Sequence, residues 1–379
     1  MDFLSLDLAG SPKRPTGYAY LEDGILKTGH VYGDKEILDL ASSFSRVGMD
    51  APLSLPRGRE SLEKPSKEHF RECDLMLRQR AIKFFPITLG PMRKLTARGI
   101  ALKEKLSNVV ELFPGASYDM LGLERKDIKA LEGFLEPFSP RLKSQHEADA
   151  AVGWFTLWQE HYGEGELLKG EDGAILIAKP ALYLGPKVEA EFLERENRFV
   201  VKTSVGKAYL RDTAKLSHLL QPGTKLYLTP YQGRFAHMVK AAWDGKRWVM
   251  LDSHLDNRLF ELYMRSQGKK VKKAKKQNNI IFDFEGYEIK GAHLFHNDVA
   301  LFPDTFSARA KKHFLHLKGE VVFVAHAQAC CVSINPQYKE LERILPKAWG
   351  ISTRIIGNYW VTQRAIPYRF IKDMGKTKL

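Results

Sequence analysis

Cysteine is scarce in this chain, and the few residues present form no recognisable pattern. Cys73 stands alone, whereas Cys330 and Cys331 are adjacent. Neighbouring cysteines rarely bridge each other, and an odd count leaves one thiol unpaired, so we expect neither a disulfide framework nor a Cys-x-x-Cys metal site. This cysteine usage is typical of a protein in a reducing, cytoplasmic compartment.

Long apolar runs are also absent, and acidic residues are outnumbered by basic ones. The opening residues MDFLSLDLAG contain no basic segment and reach an acid at position 7, which is not the pattern of a signal peptide. No uninterrupted apolar stretch has the length of a membrane span. The 59 Lys and Arg against 45 Asp and Glu give a formal net charge of +14. We therefore expect no membrane partner and a polyanionic one, nucleic acid, instead.

The first half of the chain mixes strands and helices. Its 379 residues are enough for two or three domains. The turn signal Asp23–Gly24 predicts a hairpin of YAYLEDG and ILKTGHVY, and Asp34 is a candidate helix cap. The other predicted strands are FLSLDLA, RVGMDAPLSLP and NVVELFPG, and the predicted helices are DKEILDLASSF, RECDLMLRQRAIKFF and SQHEADAAVGWFTLWQEHYG. This order of elements predicts an RNase H-like domain over residues 1–182.

The second half changes character near residue 188. Short strands with glycine turns at regular spacing predict an OB-like small β-barrel over residues 188–254. From residue 255, helices alternate with the predicted strands NIIFDF, GYEIKGAHL and EVVFVAHA, which indicates a further α/β domain over residues 255–365. The predicted fold class is therefore α/β plus α+β.

Four acids of the first half lie where such a fold brings side chains together. Asp7 is late in the first strand, Asp50 and Glu111 end later strands, and Asp149 lies on the late helix. Acids at strand ends of an open sheet converge on one edge, and clustered carboxylates favour a hard divalent cation, Mg²⁺ or Mn²⁺. Two such ions can activate water and stabilise the leaving oxygen of a phosphodiester. The alternative is that Asp50 and Glu111 only cap turns.

The blocks DLAGSPKRPTGYA, GMDAPLSLP, VVELFPGASYDMLGLERK and HEADAAVGW resemble a family of unknown function whose members are predicted RNase H-like nucleases. The resemblance implies that Asp7, Asp50 and Asp149 are metal ligands and that Glu111 is a fourth catalytic acid. His146 and Glu147 are nearby, although Glu147 also suits a helix start. Sugar kinases and actin-like ATPases share this fold, but Lys13 and Arg14 and the missing adenosine motif argue against them.

A second acidic group lies in FDFEGYEIKGAHL. Asp283 followed by Glu288-Ile289-Lys290 fits the Asp…Glu-x-Lys core of restriction-endonuclease-like nucleases. In a strand Glu288 and Lys290 point to the same face, where the ammonium can orient water or stabilise the phosphorus centre beside a metal held by Asp283 and Glu288. We expect Asp283 and Glu288 on two adjacent strands of a hairpin. The alternative is a surface hairpin whose acids face solvent.

The segments GKRWVMLDSHLDNRLFEL, FDFEGYEIKGAHL and DVALFPDTFSARAKKHFLHL resemble the sugar fermentation stimulation protein family. The resemblance implies an OB-type barrel joined to a restriction-endonuclease-like domain, an association with DNA, and Asp283, Glu288 and Lys290 as catalytic residues. Where relatives carry an acid and an arginine before the aspartate, this chain has Ala274 and Ile281. That departure leaves open a binding protein with an inactive site.

Several basic and aromatic residues are candidates for nucleic-acid contacts. The run KKVKKAKK, residues 269–276, predicts salt-dependent binding to the phosphate backbone of a nucleic acid. The alternative is a solvated loop, which is what charge runs often form. The predicted basic contacts are Lys272, Lys273, Lys275 and Lys276 of this run, Arg198 of the barrel, and Arg309 and Lys312 on a helix that begins near Ser307. Barrel aromatics such as Tyr227 and Tyr231 can stack bases, but we expect Phe199 to pack in the core.

Two functions remain in competition on these grounds. The first is a metal-dependent nuclease with two nuclease-like modules that hydrolyse phosphodiester bonds in DNA, or in RNA. The second is a DNA-binding or regulatory protein in which one or both acidic sites are inactive. Neither the strand preference nor the oligomeric state follows from the residues.

Overall fold

A computed structural model describes residues 2–212, 214–274, 280–305 and 308–370. The chain divides into two compact units. Residues 1–180 and 265–269 form the first unit, and residues 181–264 and those from 270 onward form the second.

The first unit is built around one mixed sheet. Its elements are β1 (Phe3–Asp7), β2 (Thr16–Glu22), β3 (Ile25–Val31), α1 (Asp34–Ala41), β4 (Arg46–Met49), α2 (Glu72–Gln79), α3 (Gly90–Lys103), β5 (Val109–Leu112), α4 (Pro114–Leu121), α5 (Ile128–Phe134), α6 (Gln145–His161), β6 (Glu166–Lys169) and β7 (Ala174–Ile177). The strand order is β3-β2-β1-β4-β5-β7-β6, with β1, β4, β5 and β7 parallel.

Local sequence signals account for most of these elements. The hairpin β2–β3 turns at Asp23 and Gly24, whose φ angles of 52° and 76° confirm the predicted turn. The Ser144 hydroxyl caps α6 by accepting a hydrogen bond from the Glu147 amide. The cap predicted for α1 is wrong, because Gly33 is the capping residue and Asp34 lies in the first turn.

Helix α6 is almost entirely buried because it packs directly against β1 and β2. A Cβ on Gly153 would lie 2.2 Å from the Ser5 Oγ of β1, so only glycine allows this approach. The sheet and its helices thereby place the start of α6 beside the carboxyl end of β1. The RNase H-like assignment itself stays a prediction.

The second unit contains two β-rich parts. Its elements are β8 (Ala181–Tyr183), β9 (Val188–Asn197), β10 (Val200–Thr203), β11 (Gly206–Leu210), β12 (Lys225–Pro230), β13 (His237–Trp243), β14 (Trp248–Met250), α7 (Asp256–Ser266), β15 (Tyr287–Ala292), β16 (Leu294–His296), β17 (Val299–Phe302), α8 (Ala308–His316), β18 (Glu320–Ala325), β19 (Cys331–Ile334), β20 (Lys347–Ile356) and β21 (Tyr359–Pro367).

The first part is a small barrel, as predicted. Strands β9 to β14 form one six-stranded sheet, and the parallel pairing of β11 with β13 closes the part from β9 to β13. Closure removes the free edges that an open sheet would expose. The interior is filled by alternating aliphatic side chains such as Val201, Leu226 and Val239.

The second part is a five-stranded sheet of order β15-β18-β20-β21-β8, beside a three-stranded sheet β16-β17-β19. Strand β18 lies inside the sheet, between β15 and β20, and reads as a nearly continuous apolar run because both of its faces are covered. The predicted strand NIIFDF is wrong for the residues described, since Ile280 and Phe284 form only isolated bridge contacts. The restriction-endonuclease-like assignment stays a prediction.

Candidate functional site

Three of the four acids predicted in the first unit lie at one edge of its sheet, and the fourth, Glu111, is close enough for its charge to act on Asp50. Asp7 ends β1, and Asp50 follows β4, where its amide donates to the Leu6 carbonyl at 2.8 Å. Asp149 is in the second turn of α6, which packs on β1. The charges of Asp7 and Asp149 both act on Asp50, which also shares a hydrogen bond with Asp7. The parallel strands therefore bring these carboxylates together as expected.

Electrostatic repulsion is strong in this acidic cluster of Asp7, Asp50 and Asp149. Burial raises the pKa of Asp50 well above its usual range, and the charges of Asp7 and Asp149 raise it further. Burial, followed by the charge of Asp7, raises the pKa of Asp149 to about 6, against a lowering effect of the Gln145 hydrogen bond. A divalent cation would offset this repulsion, so the donor chemistry fits Mg²⁺ or Mn²⁺.

The carboxylates of the cluster are engaged with neighbouring side chains. The Asp7 Oδ2 lies 2.5 Å from the His146 Nδ1, and the Gln145 Nε2 donates to the Asp149 Oδ1 at 2.7 Å. Within the ranges described, no three His, Cys, Asp or Glu side chains converge as a ready-made metal site. The hydrogen bond to Asp7 raises the pKa of His146, against a lowering effect of burial.

Glu111 has a different environment from the other three acids. Both of its oxygens accept hydrogen bonds at 2.6 Å from the buried Arg71 guanidinium, and one also accepts from the Leu53 amide at 2.8 Å. Arg71 in turn contacts Asp74 at 2.9 Å. A bidentate buried pair of this kind anchors the loop after β4 to β5. Its role as a fourth catalytic acid stays a prediction.

Glu147 belongs to the start of α6. Its carboxylate accepts a hydrogen bond from the Thr28 hydroxyl at 2.8 Å and is buried. The helix-start interpretation therefore describes it better than a place in the acidic cluster.

In the second unit, Asp283 and Glu288 occupy unlike positions. Asp283 lies in a bend before a tight turn, where its oxygens accept from the Ile289 amide at 2.9 Å and the Asn257 amide group at 3.1 Å. Glu288 is on β15, which pairs in parallel with β18. The expectation that both acids lie on adjacent strands of a hairpin is therefore wrong.

Glu288 is nevertheless no solvent-facing acid. Its exposed fraction is 1%, its Oε1 contacts both the Lys290 ammonium and the His313 Nδ1, and its Oε2 is buried with no hydrogen-bond partner among the residues described. A buried carboxylate oxygen without a hydrogen-bond partner lowers the stability of the fold. Groups of this kind are found more often at functional sites than elsewhere. Glu288 and Lys290 lie together as expected. His313, on α8, joins them only through the tertiary fold.

Two buried histidine–aspartate pairs lie beside the same strand, and sequence reasoning missed them. The His293 Nε2 is 2.9 Å from the Asp212 Oδ2, and the His326 Nε2 is 2.8 Å from the Asp256 Oδ1. Burial alone would lower the pKa of His293, but the charge of Asp212, the hydrogen bond to it and the charge of Asp256 together raise it. A Cβ on Gly291 would lie 2.7 Å from both the Asp256 Oδ2 and the His326 Nε2. Strand β15 therefore passes in close contact with the His326–Asp256 pair at Gly291.

The barrel carries a series of aromatic side chains on its surface. Tyr209 stacks on Tyr231 with ring centroids 5.5 Å apart, and Phe199 lies 6.4 Å from Tyr209. Phe199 is 42% exposed, so the core packing expected for it is wrong, and the Arg198 guanidinium lies 5.4 Å from its ring. Tyr227 is instead a core residue, 1% exposed, whose hydroxyl donates to the Gly185 carbonyl at 2.7 Å. We call Phe199, Tyr209 and Tyr231 the aromatic series.

The predicted basic contacts have mixed environments. Lys273 lies 3.9 Å from the Phe284 ring and 3.6 Å from Glu261, so it is engaged within the unit. Lys273 is nevertheless exposed, as are Arg198, Lys272, Arg309 and Lys312, whereas Lys275 and Lys276 lie outside the described residues. No helix in the described part of the chain is long and apolar enough to cross a membrane.

Comparison with known proteins matches the second unit to one family. The SfsA N-terminal OB domain model matches residues 193–251, and the sugar fermentation stimulation protein RE domain model matches residues 255–346. A sugar fermentation stimulation protein homolog of Sulfolobus acidocaldarius is 34% identical over 165 residues, which are 40% of this chain and 72% of that protein.

Other relatives match over shorter shares of their length. The homolog of Sulfurisphaera tokodaii is 34% identical, over 35% of this chain and 61% of that protein. The homolog of Aquifex aeolicus is 33% identical, over 34% of this chain and 66% of that protein. The Pyrococcus furiosus SfsA structure in complex with Ca²⁺ aligns with a TM-score of 0.44 at 18% identity, over 50% of this chain and 98% of that one. The chain belongs to the sugar fermentation stimulation protein family.

Proposed function

We propose that this protein binds single-stranded nucleic acid, DNA in the first instance, on the barrel of its second unit. The observation that carries the proposal is the aromatic series, whose three rings follow one another at 5.5 and 6.4 Å on the barrel surface. Aromatic rings on small barrels of this class stack successive bases with little sequence preference. The match to an OB domain supports the same assignment.

Charge adds a second contribution to binding. The net charge of +14 favours a polyanion, and the exposed Arg198 guanidinium stands next to Phe199 in the aromatic series. Phosphate contacts of this kind supply affinity that falls with salt, whereas stacking is less sensitive to salt. The protein should therefore retain part of its preference for single strands when the salt concentration rises.

Binding is tested by fluorescence anisotropy with labelled single-stranded DNA, duplex DNA and single-stranded RNA. Tyr209→Ala should weaken single-strand binding about 5- to 150-fold, which corresponds to about 1–3 kcal/mol for one stacked base. Tyr32→Ala is the matched control, because Tyr32 is an exposed tyrosine of the first unit. Equal affinities for Tyr209→Ala and wild type would show that the aromatic series does not bind bases.

A second candidate function, phosphodiester hydrolysis, is favoured by the acidic cluster. Burial first, and then the charges of neighbouring acids, raise the pKa values of Asp50 and Asp149, so the fold holds these carboxylates close together in a poorly solvated place. Asp7, Asp50 and Asp149 would hold Mg²⁺ or Mn²⁺, and a bound cation supplies Lewis acidity toward a phosphate. His146, half exposed and bonded to Asp7, would carry a proton to or from the reacting groups.

The group around Glu288 is the alternative location for the same chemistry. Lys290 contacts the Glu288 carboxylate and places its ammonium where a phosphate oxygen could accept from it. This group has two carboxylates, Asp283 and Glu288, against three in the acidic cluster, and Asp283 accepts a hydrogen bond from the Ile289 amide. We therefore assign hydrolysis to the acidic cluster first.

Hydrolysis is tested by incubating the protein with labelled single-stranded, duplex and branched DNA and RNA, with Mg²⁺, with Mn²⁺ or with EDTA. Cleavage should require the cation and disappear in Asp7→Ala, while Asp283→Ala retains it. The exposed acid Asp39 provides the matched control variant, Asp39→Ala. Cleavage lost in Asp283→Ala but kept in Asp7→Ala would move the reaction to the second unit. Binding without cleavage in every reaction would leave a nucleic-acid-binding protein.

A further inference from the structure

A pocket opens next to the acidic cluster in the first unit, and no assigned role accounts for it. Asp50 is one of its lining residues. One wall comes from the segment between α2 and α3, which contributes Phe84 and Phe85, and the opposite wall comes from Phe113 at the start of α4. Parallel strands β4 and β5 end at this point, which is where open sheets bind ligands.

The size of the pocket restricts what can enter. Its volume is about 190 Å³. Sites for drug-sized ligands typically measure about 300–1,000 Å³, so this pocket has room for a single ring system and none for a duplex. A base within a duplex is covered on both faces by its neighbours and must leave the stack before it can enter such a pocket.

The lining combines aromatic and apolar side chains with the buried ion-paired group of Arg71, Asp74 and Glu111, and it carries exposed cations as well. Phe84 is fixed by an edge-to-face contact with Phe70 at 5.8 Å. Phe85 is 74% exposed, which leaves its ring available to an incoming partner. Lys83 and Arg125 are also exposed lining residues, and the Arg125 guanidinium lies 5.8 Å from the Phe113 ring. Flat rings beside exposed cations complement an aromatic ligand that carries an anionic group.

We propose that this pocket binds one unstacked nucleobase of a single strand, with its flanking phosphates on Lys83 and Arg125. Phe85 stacks on the exposed face of the base. The arrangement places the adjoining phosphodiester beside Asp50, so the pocket selects unpaired nucleotides for the acidic cluster. The proposal rests on the proposed binding of nucleic acid and adds a second contact point, independent of the aromatic series.

Photo-crosslinking of the whole 379-residue chain tests the pocket. The probe is a ten-nucleotide thymidine strand with one 5-iodouracil, irradiated in EDTA and in Ca²⁺, and the adducts are mapped by mass spectrometry. We expect an adduct on the peptide that contains Lys83 to Phe85. It should be lost in Phe85→Ala and should fall at least about tenfold when the probe is annealed to its complement.

Control variants and competitors distinguish base binding in the pocket from nucleic-acid binding by the rest of the protein. Leu167→Ala, an exposed apolar residue on β6 of the same unit, should crosslink like wild type. Adducts confined to the aromatic series, with unchanged affinity in Phe85→Ala, would overturn the pocket and leave nucleic-acid binding intact. Absence of binding to every strand by anisotropy would overturn nucleic-acid binding and the pocket together. Thymidine monophosphate added in excess should compete for the pocket adduct and spare adducts on the barrel.

Discussion

Replacing Asp149 by asparagine should stabilise the metal-free protein at neutral pH, although it removes a group of the acidic cluster. Burial and the charge of Asp7 raise the pKa of Asp149 from 3.8 to about 6. A shift of about 2 units corresponds to about 3 kcal/mol, because each unit is worth about 1.4 kcal/mol. Asparagine keeps an oxygen that can accept from the Gln145 side chain and carries no charge.

The sign of the pH dependence follows from proton binding. Between pH 3.8 and about 6 the folded protein binds more protons at Asp149 than the unfolded chain does, so its stability falls as the pH rises. The stability difference between Asp149→Asn and wild type should therefore be small near pH 4 and reach about 2–3 kcal/mol above pH 7. Mg²⁺ should stabilise wild type more than the variant, because it binds the ionised cluster.

The stability of the first unit is measured by urea unfolding, with hydrogen exchange of peptides from α6 as the probe. The measurement is made in EDTA across pH 4.5–8. The control Asp39→Asn replaces an exposed acid on α1 and should change stability by less than about 0.5 kcal/mol. A variant less stable than wild type at pH 8, or a difference that does not vary with pH, would refute the repulsion assigned to the cluster.

Two further substitutions test the packing that supports the cluster. Arg71→Met should destabilise the first unit by about 3–5 kcal/mol, because Glu111 loses its buried cation. Its control, Arg57→Met, removes the exposed ion pair with Glu171 and should lower the free energy of unfolding by less than about 1 kcal/mol. Gly153→Ala should lower the free energy of unfolding by about 1–3 kcal/mol, because the added Cβ would lie 2.2 Å from the Ser5 Oγ of β1. Its control, Gly133→Ala, adds a Cβ with no atom within 4 Å and should stabilise α5 by about 0.5–1 kcal/mol. Urea unfolding measures all four, and equal effects within either pair would contradict the packing argument.

Much of the secondary structure was predictable because it depends on neighbours in the chain. Hairpin β2–β3 follows from the Asp23–Gly24 turn, and α6 follows from a capping serine and a long helix-forming segment. The predicted strand NIIFDF failed because an apolar run of strand length needs a neighbouring strand. Phe284 instead folds back on Tyr287 in a tight turn.

The sequence predicted which kinds of residue form the candidate sites, but only some of the contacts between them. Asp7, Asp50 and Asp149 could be grouped because parallel strands end at one edge of a sheet. The pairing of Arg71 with Glu111, 40 residues apart, could not be foreseen, since any of several cations had the right charge. The exposure of Phe199 was likewise decided by where the β9–β10 turn lies on the barrel.

The sequence by itself determined which residues carry charge, which segments form strands and helices, and which acids could meet at the end of a sheet. Only the tertiary structure decided that Glu288 is buried with His313, that Asp283 caps a turn, and that a pocket opens beside Asp50. The reason is physical. Turn and helix preferences are set by local sterics and hydrogen bonding, whereas burial and ion pairing depend on which distant side chains the packed chain brings within a few ångströms.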